Sequence, residues 1–93
     1  MNELTRALAI NPKNPTAHNY LGITVSQKGW PEVAHKELET AILLDPKYAD
    51  AHFNLAVVLA TNDPPDKESA GKYYQQAREL GAERDESLEQ LIK

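Results

Sequence analysis

The stretch ALAINPKNPTAH, residues 7–18, returns as AILLDPKYADAH, residues 41–52. One shift of 34 residues lays Leu4 on Leu38, Ala7 on Ala41, Pro12 on Pro46, Ala17 on Ala51, His18 on His52 and Leu21 on Leu55. A fixed period of this length marks units that cannot bury their apolar faces alone and do so by stacking on one another. The recurring histidine therefore belongs first to a repeat.

Within one period the pattern is helical. From Pro15 to Gln27 the residues Ala17, Tyr20, Leu21, Gly22, Thr24 and Val25 recur at three- and four-residue steps, with Asn14 placed as N-cap and Pro15 as first helical residue. Lys28-Gly29-Trp30 interrupts the pattern, and Pro31 and Glu32 open a second helix. Its stripe runs through Val33, Ala34, Glu37, Leu38, Ala41, Ile42 and Leu44 to Asp45-Pro46. So short a connection makes the two helices antiparallel neighbours. The next unit opens with a helix over about 50–61, and TNDPPDKES then carries two residues more than the first unit. An insertion in a turn costs little loop-closure entropy. Beyond it, Ala70, Tyr74, Ala77 and Leu80 take the places of Ala34, Leu38, Ala41 and Leu44; Gly81 is a C-cap, and Asp85 caps a last helix carrying Leu88, Leu91 and Ile92.

Composition agrees with packed helices. The 93-residue chain has four glycines, few aromatic residues and no cysteine, and its length suits one small domain that buries about 60–65% of its unfolded surface. A formal charge of −4 with both signs interspersed leaves no cationic footprint for nucleic acid or anionic lipid. Without cysteine there is no disulfide frame, thiolate metal site or thiol nucleophile. The first residues lack a signal-peptide profile, and no run approaches the roughly 18 apolar residues of a membrane span, so the chain reads as soluble with its compartment undetermined.

The spacing of a large residue, Leu and a small residue, followed by Ala, a bulky residue, Ala and Pro, resembles the tetratricopeptide repeat. In the first full unit the carriers are His18, Leu21, Gly22, Val25, Ala34, Leu38, Ala41 and Pro46; in the second they are His52, Leu55, Ala56, Leu59, Ala70, Tyr74 and Ala77. Both units have His where that family favours Trp, and Ala82 stands where the second closing Pro belongs. The resemblance implies an all-α, right-handed superhelical solenoid of antiparallel helix-turn-helix units. Residues 1–14 then read as the second helix of a truncated repeat, 15–48 as one repeat, 49–84 as a repeat with the two-residue insertion, and 85–93 as a capping helix.

Close approach of helix axes, about 8–10 Å, calls for small residues at the crossings, and Gly22, Ala34, Ala41, Ala56, Ala70 and Ala77 supply them. Leu21, Leu38, Ile42, Leu55, Leu59 and Tyr74 are the expected large core residues.

In tetratricopeptide arrays the first helices of successive units line a concave groove. By phase, that groove takes Thr16, Asn19, Ile23, Ser26 and Gln27 from one unit and Asp50, Phe53, Asn54, Val57 and Thr61 from the next. Chaperone-binding members grip a terminal carboxylate with Lys, Asn and Arg, whereas no Lys or Arg is in phase here. Ile23, Phe53 and Val57 instead fit an extended or helical peptide, with Asn19 and Asn54 expected to hydrogen-bond its backbone. The expected function is a non-catalytic protein-interaction or scaffolding module without cofactor. Its partner is a protein or peptide, with no nucleic acid and no membrane insertion.

Sharper chemistry is weaker on this sequence. His18 and His52 share a phase, but zinc wants nitrogens about 2.0–2.1 Å from one ion and further ligands, so packing is the reading preferred. Ser26, Ser69 and Ser87 have no phased His and carboxylate, and Glu32, Glu37 and Glu39 read as solvated. Trp30, the one tryptophan, suits either packing in its turn or an interface. An alternative makes the chain an architectural piece of a larger protein. Leu4, Leu8 and Ile10 would then be covered by a preceding helix or, through self-association, by a second copy, because about three repeats are usually needed for stability.

Overall fold

The computed structural model describes residues 13–93. Among these residues the elements are helices without strands: α1 (Pro15–Gln27), α2 (Pro31–Leu44), α3 (Ala49–Thr61), α4 (Lys67–Glu79) and α5 (Glu86–Ile92). The described residues are all-α, as composition and period anticipate. Leu4, Leu8, Ile10 and the helix expected before residue 13 lie outside the described residues.

Local chemistry sets the helix ends. Asn14 caps α1 by accepting the Ala17 N–H at 3.1 Å, and Pro15 fills a first-turn position whose N–H would be unpaired in any case. At the other end Gly29 has φ +84°, its N–H reaches the Ser26 carbonyl at 3.0 Å, and the Trp30 N–H reaches the Val25 carbonyl at 3.0 Å. That pair of bonds is a Schellman motif, which needs a left-handed residue at the position after the C-cap. Gly81, with φ +109°, repeats it beyond α4: its N–H bonds the Arg78 carbonyl at 3.1 Å and the Ala82 N–H bonds that of Ala77 at 2.9 Å. Asp66 and Asp85 cap α4 and α5 through the N–H groups of Ser69, at 3.0 Å, and Leu88, at 2.9 Å. The lengthened turn still brings the chain straight back, because the Asp66 N–H bonds the Leu59 carbonyl at 2.9 Å.

Both helix pairs are antiparallel. Going up α1 from His18 to Gly22 goes down α2 from Glu37 to Ala34. In the second pair the Phe53 ring meets Tyr74 while Leu59 lies at the start of α4. The second hairpin packs on the first chiefly through α3, which touches both α1 and α2, and α5 closes over α3 and α4.

Small residues sit where close approach demands them. Ala34, Ala41, Ala56, Ala70 and Ala77 are fully buried, as are the two largest enclosed side chains, Leu38 and Leu55. Together with Val25, Val58, Leu59, Ala60 and Leu88 most of these form one continuous core spanning both hairpins. Leu21, Ile42 and Tyr74, expected inside, are only partly buried and pack on the margin of that core. The reason is thickness: a layer of paired helices has one interior plane, and residues off that plane keep an open side.

Candidate binding groove

α1 and α3 run side by side, and α3 brings Asn54 against Asn19: the Asn54 Nδ2 donates to the Asn19 Oδ1 at 3.0 Å. From that bond toward the C-terminal ends of the two helices, Ile23, Ser26 and Gln27 on α1 face Asn54, Val57 and Val58 on α3 across a cleft of about 160 Å³, with Leu38 closing its floor. Ile23 and Val57 are one period apart, so the same phase in two units builds the two walls.

A second hollow, of about 280 Å³, lies at the N-terminal end of α3. Asp50 and Phe53 form one side and the Ala82–Asp85 link the other. Phe53 and Val57 are four residues apart on α3, one above the other on one helix face. The two hollows therefore adjoin along that face.

Of the groove residues expected from phase, Ile23, Ser26, Gln27, Asn54 and Val57 line the first hollow, and Asp50 and Phe53 the second. Thr16 is exposed in the first turn of α1, outside both hollows. Thr61 directs its hydroxyl to its own helix, donating to the Val57 carbonyl at 2.8 Å. Asn19 departs most from expectation. It is 2% exposed, and beside accepting from Asn54 it donates through Nδ2 to the Tyr48 hydroxyl at 3.3 Å. Buried amides must be paired within the fold, so Asn19 joins two units and is not available to a peptide backbone. Asn54 uses one N–H in this contact and also lines the cleft.

Phase applied to the first helices alone does not find Leu38 and Val58, or the Ala82–Asp85 link. The signal for the link was present: a C-capping Gly81 and an N-capping Asp85 leave a connection of three residues that must double back beside α3.

The two repeated histidines have different partners. His18 donates through Nδ1 to the Glu37 carboxylate at 2.7 Å, which ties α1 to α2 and takes Glu37 out of the solvated group in which its spacing had placed it. His52 is 6% exposed, its Nε2 meets the Pro46 carbonyl at 2.9 Å, and its ring lies 6.0 Å from that of Tyr73. A carbonyl only accepts, so Nε2 donates, and the buried Nδ1 has no hydrogen-bond partner. Among the described residues, no three His, Cys, Asp or Glu side chains are grouped to hold a metal ion. Glu32 is exposed, and Glu39 pairs with His35 at 3.2 Å on the same helix.

Trp30 is the N-cap residue of α2 and is 53% exposed, with the Lys28 ammonium 6.0 Å from its ring. Its backbone serves the turn while most of its indole faces outward.

A polar clasp holds the link beside the second hollow. The Tyr74 hydroxyl donates to Glu89 at 2.5 Å and accepts the Asp85 N–H at 3.0 Å, while the Arg84 Nε donates to both Glu89 oxygens at 3.0 Å. Hydrogen bonds from Tyr74 and then Arg84 hold Glu89 below the usual carboxylate range. Desolvation, and then the bond to Glu89, pushes the Tyr74 phenol up. No helix among the described residues is long and apolar enough to cross a membrane.

No protein-family model matches the chain.

Proposed function

We propose that this chain is a tetratricopeptide-type interaction module, a short right-handed solenoid that binds a protein or peptide segment along the face of α1 and α3 and performs no catalysis itself. One observation supports it above others: Ile23 and Val57, one period apart, line a single cleft together with Asn54. The cleft size fits the same reading. At about 160 Å³ it is smaller than the roughly 300–1,000 Å³ of small-molecule sites, and takes one or two side chains of a longer ligand. Largely apolar walls edged by the Asn54 and Gln27 amides and the Ser26 hydroxyl suit an extended segment that inserts a side chain and offers a backbone N–H to Asn54.

The test compares partners captured by the wild-type chain and by Phe53→Ala combined with Val57→Ala. Loss of the same partners in the double variant is expected. Because both side chains also pack on the core margin, Ser26→Arg at the cleft serves as a second variant, and circular dichroism confirms that each is folded. Unchanged capture by both folded variants would remove the groove from consideration.

A further inference from the structure

Charge is distributed unevenly along the proposed groove. Among the described residues, the hollow between Ile23 and Val57 has no ionisable side chain in its lining, whereas the adjoining one has Asp50, Glu83 and Asp85 around Phe53, with Arg84 as its only cation. The Arg84 guanidinium is already bonded to both oxygens of Glu89. Asp85 uses one oxygen on the Leu88 N–H and keeps the other. The floor is aromatic: the Phe53 ring, half-buried, is backed by Tyr74 with 6.4 Å between ring centroids.

We infer that the groove selects a cationic segment, in which a Lys or Arg side chain adjoins an apolar one. This rests on the binding role proposed above. The basic side chain lays its methylene stem on Phe53 and carries its charged head to Asp50 and Glu83, so that apolar stem and ionic head are both satisfied. Its apolar neighbour enters the hollow between Ile23 and Val57. An acidic segment would meet three carboxylates at the same place, with the nearest guanidinium held by Glu89. Like charges so placed reject the wrong partner as well as attracting the right one.

A random peptide library displayed on phage, selected on the immobilised wild-type chain, supplies the probe. The enriched sequences should carry Lys or Arg beside aliphatic or aromatic residues. One of them, made with a fluorescent label and titrated by anisotropy, should bind about two- to five-fold more weakly to Asp50→Asn and to Glu83→Gln, and more weakly again as salt is raised. Glu68→Gln, at the opposite end of the second hairpin, should bind it like wild type. Enrichment of acidic or uncharged peptides that still lose binding to Phe53→Ala with Val57→Ala would overturn the cationic preference and leave the groove standing. No enrichment, or peptides indifferent to the groove variants, would overturn both.

Discussion

Gly22 and Leu38 are packed so closely that a methyl group on Gly22 would fall 2.7 Å from the Leu38 Cγ and 3.4 Å from the Ala34 carbonyl oxygen. Leu38 is fully buried and has nowhere to retreat. Gly22→Ala therefore sets a gain of about 1 kcal/mol in helix propensity against about 1–3 kcal/mol of overpacking. The overpacking should win, by up to about 2 kcal/mol in urea denaturation. Leu38→Ala, which should itself cost about 2–5 kcal/mol, opens the space, and in that background Gly22→Ala should turn neutral or stabilising. Two effects that simply add would show that the contact does not exist in solution.

Gly29 tests a different cause. A Cβ there would meet nothing within 4 Å, yet φ is +84°. Gly29→Ala should lower stability by about 1–2 kcal/mol through the left-handed backbone alone, and Gly29→Asn by less, because Asn tolerates that region. Equal melting temperatures for Ala and Asn would argue against a backbone origin.

These two glycines show why much of the fold can be read from the sequence. Caps and Schellman ends are local: Asn14, Gly29, Gly81 and Asp85 each act within a few residues, so spacing alone locates them. Ala34, Ala41, Ala56, Ala70 and Ala77 recur in phase because every crossing makes the same demand on size. Depth and loop return are not local. Phase puts Asn19 on the α1 face toward α3, but its burial is decided by Asn54 and Tyr48, which lie 35 and 29 residues further along the chain. Likewise the Ala82–Asp85 link lines the hollow beside Phe53 only because Tyr74 and Glu89 hold α5 back over α4.

The Tyr74–Glu89 clasp should give stability an acid and an alkaline edge. Glu89 in the folded chain sits below its ordinary value of 4.5, so its stabilisation is complete above that value and is lost as pH falls through the lowered one. Tyr74 is raised above 10.0, so its share is complete below that pH and is lost as pH rises through the raised value. Thermal melts across pH should therefore show that Glu89→Gln flattens the acid limb below about 4.5 and Tyr74→Phe the alkaline limb above about 10. Limbs unchanged by either substitution would place the pH dependence elsewhere.

Asn19 and Asn54 share one hydrogen bond of 3.0 Å, but under the proposed function Asn19 is a structural amide and Asn54 the one that meets the peptide. Asn19→Ala leaves the Tyr48 hydroxyl and the Asn54 amide without their partner, and should cost about 1–2 kcal/mol of stability. In Asn19→Ala the half-buried Asn54 amide can recover water, whereas Asn54→Ala leaves the buried Asn19 oxygen unpaired, and a coupling of about 0.5–1.5 kcal/mol is expected in the double-mutant cycle. Binding should divide them the other way. Asn54→Ala removes the amide at the cleft wall and should weaken a selected peptide several-fold, whereas Asn19→Ala, measured well below its melting temperature, should bind almost as the wild type does. If Asn19→Ala were the variant that lost the peptide, the groove would have to run on the Asn19 side of the contact, and Ile23 and Val57 would no longer define it.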